Sequence, residues 1–366
     1  MRTHRDVFEL LAAADRDGER LFAPRAALAT ITRTVGATFR RPGSRMLVGG
    51  DGSRVRGLSG GCPEADIATR ARRVIETGVA DLVRYDREYG LDALLELGCG
   101  GELEVLIEPV ADRDSLGFLD LATQCWRQRR EGWLATVYAR DGACLPQPRR
   151  ALWQDGWKLD QLGAPTLLAQ LVAQAKQKLG TALCAHVQLD TPQGRLDALL
   201  EAIRPPVRLL IAGINPVAVT LANLAERLGW NATLVHHADE IPAAAADQLL
   251  LHAPPETVAT RAACDARTYC AVMTHNLERD IAYASALLAT PAPYIGVLGS
   301  RRRSAALLAR LREEGHEPDG RVFAPAGLDI GSEDPDEIAL SLLAQMKAFE
   351  SRKSGAPLAA IDTPIH

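Results

Sequence analysis

The apolar positions of this chain change rhythm near residue 205. Beyond Ile203-Arg204-Pro205-Pro206, short apolar runs alternate with stretches of helical periodicity. Residues 207–212 form an apolar run of the kind that a parallel sheet buries on both faces. Gly213 breaks that run, and Val217, Leu221, Leu224 and Leu228 then recur at helical spacing up to Gly229. Residues 232–235, 270–273 and 294–298 predict further strands. Residues 277–288 predict a helix, as does the stretch after Ser300, with Leu307, Leu308 and Leu311 turned inward. Asp334-Pro335-Asp336-Glu337 reads as a helix start with Asp as N-cap, Pro at the first position and Glu at the third. Ile338, Leu342, Leu343 and Met346 line the inner face of that helix. Strands alternating with helices predict a Rossmann-like, doubly wound parallel sheet.

The first half is less periodic. Residues 28–35, 45–48, 103–110, 133–140 and 184–189 predict strands, and 65–77 and 167–179 predict helices. The two prolines at 205–206 are expected to stop a helix that precedes them. The reading is a mixed α/β N-terminal domain over 1–203, a Rossmann-like domain over 204–350 and a flexible tail over 351–366.

Composition narrows the function. The chain has 366 residues, 47% hydrophobic and 24% charged, which is ordinary globular usage. A net charge of −4 and a pI near 6.1 give no general attraction to nucleic acid, although Arg40-Arg41 and Arg301-Arg302-Arg303 are local basic patches. No apolar run reaches the ~20 residues of a membrane span. No secretory signal is expected from the first residues. The seven cysteines are scattered with no CxxC pair, which disfavours a zinc knot and fits a cytoplasmic, thiol-reducing location.

Five places can carry chemistry. In Ser59-Gly60-Gly61-Cys62-Pro63-Glu64, two glycines allow close backbone approach and Pro63 suits a first helical turn. Cys62 would then stand at a helix N-terminus, which favours thiolate and anions. That arrangement suits sulfur transfer, metal contact or nucleophilic catalysis, and equally a small cysteine buried at a tight turn. Cys99-Gly100-Gly101 is a second sulfur beside a glycine turn. Gly213-Ile214-Asn215 occupies the turn of a dinucleotide fold, but Asn215 replaces the second glycine, and His236-His237 stands where an acidic ribose partner is expected. NAD(P) is therefore disfavoured. Thr274-His275-Asn276 lies at a strand end, with Thr274 able to cap the next helix and Asp280 expected to be solvated. Gly299-Ser300-Arg301 ends a strand and opens a helix, where N–H groups, a hydroxyl and a guanidinium suit a phosphate. The alternative there is an N-capping Ser before a solvated basic turn.

These motifs, in this order, resemble the xanthine dehydrogenase accessory (XdhC/CoxI-type) family. The resemblance rests on Ala29-Thr30-Ile31, Val35-Gly36-Ala37, Arg41-Pro42-Gly43-Ser44-Arg45-Met46, Ser59-Gly60-Gly61-Cys62-x-Glu64 and Cys99-Gly100-Gly101. It continues through Thr274-His275, Tyr294-Ile295-Gly296-x-x-Gly299-Ser300-Arg301, Pro325-x-Gly327-Leu328-Asp329-Ile330-Gly331 and Pro335-x-Glu337-Ile338-Ala339. It implies a non-catalytic, homodimeric chaperone that binds the molybdenum cofactor in molybdopterin or dinucleotide form and supports its sulfuration. The chaperone would then insert it into a xanthine or aldehyde dehydrogenase-type molybdenum hydroxylase, with a cysteine desulfurase as second partner. It makes Cys62 the candidate sulfur or molybdenum contact, Gly60, Gly61 and Glu64 its surroundings, and Cys99 a second candidate. Gly213, His275, Gly299, Ser300 and Arg301 match the nucleotide-fold portion. The chain departs from the family pattern at Pro63, at Asn215-Pro216 and at His236-His237. The remaining readings are an NAD(P)-dependent oxidoreductase and a non-catalytic oligomeric scaffold.

Overall fold

Two antiparallel sheets and one parallel sheet organise the chain. The computed structural model describes residues 2–36, 38–58, 63–86, 101–180, 182–237, 245 and 247–361. Contacts divide the chain into two units, 1–205 and 206–366.

The first sheet of unit one contains β1 (Ala26–Val35), β2 (Arg45–Val48), β3 (Arg54–Val55), β4 (Asp81–Tyr85) and β5 (Glu102–Val110), in the order β3-β2-β1-β5-β4. The second contains β6 (Gly132–Arg140), β7 (Ala143–Trp153), β8 (Trp157–Asp160), β9 (Cys184–Thr191) and β10 (Gly194–Ile203), in the order β8-β7-β6-β10-β9. Four helices accompany them among the described residues: α1 (Arg2–Leu21), α2 (Pro63–Thr77), α3 (Gly117–Arg127) and α4 (Pro165–Lys178).

Side-chain alternation explains the layering, because successive residues of a strand point to opposite faces. Ala27, Ala29, Ile31, Val105 and Ile107 pack under Ile67, Ala71 and Val74 of α2. Ala135, Val137, Ala198 and Leu200 pack under Leu171 and Ala175 of α4. The other faces of the two sheets meet. At one end of that inner layer, α1 and α3 add Leu10, Ala14, Leu119 and Trp126 to Leu28, Leu47, Leu134 and Ile203.

Much of the inner layer is charged. Arg45 on β2 donates from Nη1 (2.9 Å) and Nη2 (2.5 Å) to the two oxygens of Glu201 on β10. Arg150 on β7 pairs with Glu108 on β5. The Phe118 ring of α3 lies 3.9 Å from the Arg150 guanidinium carbon and 5.8 Å from that of Arg45. Both arginines keep a buried Nε without a partner. Such pairs add little net stability over an apolar core, but removing one member strands the other.

The structure corrects one local expectation. The segment before Pro205 is strand β10, not a helix. Leu196, Leu199, Leu200 and Ile203 happen to fall at helical spacing, and burial on both faces of an internal sheet erases the alternation that would mark a strand.

In unit two, β11 (Arg208–Ala212), β12 (Asn231–His236), β13 (Leu250–His252), β14 (Thr268–Val272), β15 (Tyr294–Val297) and β16 (Val322–Phe323) form a parallel sheet ordered β13-β12-β11-β14-β15-β16. This is the 3-2-1-4-5-6 order of a Rossmann sheet, with its switch point between β11 and β14. Its helices are α5 (Pro216–Arg227), α6 (Pro255–Arg261), α7 (Leu277–Leu288), α8 (Arg301–Glu313) and α9 (Pro335–Ser351). Asp334 and Glu337 form the expected capping box of α9. Leu308 is half-buried, while Leu307 and Leu311 are buried as expected.

Glu201→Ala leaves the Arg45 guanidinium, 4% exposed, without its carboxylate. Urea denaturation of this variant should show a loss of about 3–5 kcal/mol. The double variant Arg45→Met, Glu201→Leu should recover most of that loss.

Candidate functional site

Gly60, Gly61 and Cys62 lie outside the described residues, as does Cys99. The flanks of both segments are described. Ahead of the first, Arg56 on the turn after β3 pairs with Asp6 and Glu9 of α1. Asp6 is buried and also accepts from Arg40 at 2.7 Å, so that half of the Arg40-Arg41 patch is neutralised internally. After the segment, α2 begins at Pro63, which stands in the first turn as its residue type suits, two residues ahead of the expected start at Ala65; Glu64 and Asp66 make that turn acidic. Glu64 packs on Gly57: a Cβ there would lie 2.6 Å from Glu64 Oε1.

Asp66 joins the two motif regions. Tyr85, the last residue of β4, donates its hydroxyl to Asp66 Oδ2 at 2.7 Å, and Arg70 donates to the same oxygen at 2.8 Å. Burial opposes the charge on Asp66, but these donors outweigh it and hold the carboxyl below its ordinary range. Tyr85 pairs with Leu103 across the β4–β5 ladder, and Val35 pairs with Glu102 across β1–β5. A Cβ on Gly36 would stand 3.6 Å from Gly101 Cα. The residues bordering both glycine–cysteine segments are thus anchored at one end of the first sheet. Glu104 sits just inside that end, accepting from Arg84 (2.7 Å), Thr32 (2.8 Å) and Tyr138 (2.8 Å).

The second set of residues lies at the carboxyl edge of the parallel sheet. Gly213 ends β11 with φ +118°. A Cβ there would lie 2.6 Å from the Met273 carbonyl oxygen, so this turn requires glycine. Asn215 is the N-cap of α5: its side-chain oxygen accepts from Ala218 N at 3.0 Å, while its amide donates to Met273 O at 2.8 Å. A side chain thus takes one of the first-turn N–H groups that a diphosphate would use. Along the same edge, the His236 and His252 rings are 5.1 Å apart. Burial, Arg279 and these two histidines push His237 below the ordinary histidine value.

Two readings of this edge change. Thr274 is not the cap of α7; Asn276 is, accepting from Arg279 N at 3.0 Å. Asp280 is not solvated but 1% exposed. It accepts from Thr274 N (2.9 Å), Thr274 Oγ1 (2.7 Å) and Arg303 Nη2 (2.5 Å). Arg303 is therefore engaged internally, whereas Arg301 is exposed. Ser300 caps α8, accepting from Arg303 N at 3.2 Å. His275 is exposed and left-handed, with φ +61°, a conformation uncommon for a residue bearing a Cβ. No group of three or more metal-ligating side chains converges among the described residues.

One pair had no signal in the spacing. Cys264 and Cys270 are free thiols in the core of unit two. The adjoining Cys270 thiol holds Cys264 below the ordinary thiol value, against burial and with help from Thr290.

Family models match two segments. The XdhC and CoxI family model covers residues 23–86, and the XdhC Rossmann domain model covers 209–346. The chain belongs to the XdhC/CoxI family. The first matched segment contains the Asp66–Tyr85 bond, and the second runs from β11 into α9. The chain is 27% identical over 336 residues to a probable xanthine dehydrogenase subunit of Bacillus subtilis, covering 90% of this chain and 93% of that protein. It is 25% identical over 324 residues to the molybdenum cofactor insertion chaperone PaoD of Escherichia coli, covering 88% and 82%. A crystal structure of a xanthine dehydrogenase from Bacillus halodurans has the same fold, with a TM-score of 0.74, 24% identity and coverage of 96% and 98%.

Two measurements address this family member's buried groups. Burial works against ionisation of Glu104, but its donors prevail and depress its pKa. A depressed folded value stabilises the fold above the unfolded value, about 4.3. That contribution disappears as the pH falls through the folded value. Tyr138→Phe removes one donor, so the acid-unfolding midpoint followed by circular dichroism should move to higher pH. Among the described cysteines, Cys264 should alkylate first with iodoacetamide near neutral pH, and Cys270→Ala should slow it. Equal labelling rates in the two proteins would contradict that influence of Cys270.

Proposed function

We propose that this chain is a molybdenum cofactor chaperone: it binds the cofactor as cargo, supports installation of its terminal sulfur and delivers it to a molybdenum hydroxylase. The observation that carries the reading is the match to a cofactor insertion chaperone over 88% of this chain and 82% of that relative. The geometry supports it, because the flanks of both glycine–cysteine segments are anchored at one end of the first sheet.

Cys62 is the proposed contact to the molybdenum–sulfur end, with Gly60, Gly61 and Glu64 around it and Cys99 as a second sulfur. A thiolate suits a soft, sulfur-ligated metal. Gly213, His275, Gly299, Ser300 and Arg301 are the Rossmann unit's candidates for phosphate contact, Arg301 because it is exposed at a helix start. A cysteine desulfurase and a target hydroxylase are the partners this role requires. The chain acts as a homodimer in the cytoplasm and turns over no substrate of its own. No described helix is long and apolar enough to cross a membrane. Asn215 at the α5 N-terminus, and histidines where a ribose-binding carboxylate is wanted, weigh against an NAD(P)-dependent oxidoreductase.

Protein purified from a cofactor-producing host should carry molybdenum and pterin in proportion to protein, by metal analysis and pterin fluorescence. Cys62→Ser should lose most of both, with an unchanged melting temperature, and should fail to activate a molybdenum hydroxylase. Wild-type protein that carries neither would sink the chaperone reading. Full retention and activation by the variant would remove only the role of Cys62.

A further inference from the structure

The outer face of the second sheet carries a cavity outside both family-matched segments. β7 swings away from β6 to form it. Val137 pairs with Arg149 and Ala139 with Cys144, so Leu145-Pro146-Gln147-Pro148 stand opposite Tyr138 alone. Neither proline has an N–H to give the ladder. This bulge, the β9–β10 turn and the first turn of α4 border a cavity of about 1120 Å³. That is slightly above the usual range for small-molecule sites, roughly 300–1000 Å³.

Its lining is amphipathic. Val137, Leu145, Leu162, Leu167 and Leu196 supply apolar surface. Arg140 and Arg149 add two exposed guanidinium groups with no hydrogen-bond or ion-pair partner among the described residues. The acidic residue in the lining, Asp190, is already paired with Arg195 at 3.3 Å. α4 starts at Pro165 with Ala164 as N-cap and no side-chain cap, which leaves first-turn N–H groups beside the cavity. The Gln170 side-chain oxygen is buried without a partner, while its nitrogen donates to Asp190 O at 3.3 Å. Two unpaired cations and uncapped N–H groups over an apolar wall are complementary to one kind of guest.

We propose that this cavity binds an amphipathic organic anion. Its phosphate, sulfonate or carboxylate head is held by Arg140 and Arg149, and its flat or aliphatic body lies on the leucine-lined wall. The inference stands apart from the chaperone reading, since no residue of the cavity belongs to the glycine–cysteine segments or to the Rossmann unit.

The test uses the full chain and two fluorescent probes, 1-anilinonaphthalene-8-sulfonate and its neutral counterpart N-phenyl-1-naphthylamine. The sulfonate should bind saturably at one equivalent, and about tenfold more tightly than the neutral dye. Arg140→Gln with Arg149→Gln should abolish that preference and leave the melting temperature and neutral-dye binding unchanged. Either single variant keeps the test readable if the pair lowers the melting temperature. Equal affinity for the two dyes, or a sulfonate affinity that ignores both arginines, overturns the proposal. So does a sulfonate affinity that falls as protein concentration rises, because a second copy of the chain would then be the occupant.

Discussion

The Arg45–Glu201 and Arg150–Glu108 pairs are the constraint on which unit one depends. Two five-stranded sheets pressed together with leucines alone could slide along each other at little cost. Two buried ion pairs cannot, since any shift separates charges that water no longer screens. Phe118 beside both guanidinia fixes α3 to the same register. Glu104 extends that layer to the end of the sheet where the residues flanking the two glycine–cysteine segments are held. Sheet-to-sheet register and the anchoring of those flanks are therefore one problem rather than two.

Unit two holds its loops together by a different device. Asp280 gathers the backbone and hydroxyl of Thr274 and the guanidinium of Arg303 into one buried cluster. The loop after β14, which carries His275, is thereby fixed to the first turn of α8, which carries Ser300 and Arg301. The loop after β14 also meets the turn after β11, where a Cβ on Gly213 would touch the Met273 carbonyl. Three separate stretches of sequence become a single rigid rim.

The Rossmann unit was largely legible from sequence because its strands are short apolar runs bounded by glycine and its helices announce their starts. Asp334-Pro335-x-Glu337 is such a start, and the structure forms it as written. Unit one was less legible for identifiable reasons. β10 shows no strand-like alternation because both of its faces are covered, and its leucines happen to fall at helical spacing. β7 holds two prolines and a run of polar residues, so neither period appears. α1 was missed although Val7, Leu10, Leu11 and Ala14 follow a helical period, because the charged residues at its start mask the apolar stripe. At the site level, residue type offered Ser300 as a cap only as the alternative to a phosphate contact, and the cap is formed. Spacing could not reveal that Asp280, 23 positions earlier, takes up Arg303, because such pairing belongs to the tertiary fold.

Asn215 completes the Rossmann turn with the chain's own atoms. Its oxygen stands in for a guest's anionic group at the head of α5, and its nitrogen is bonded to the neighbouring strand's end. An anion at that turn would share the head of α5 with a side chain that already engages the Ala218 N–H. The turn after β11 is thereby cross-linked to its neighbour by one amide, so whatever docks at this rim meets a loop whose shape is already set.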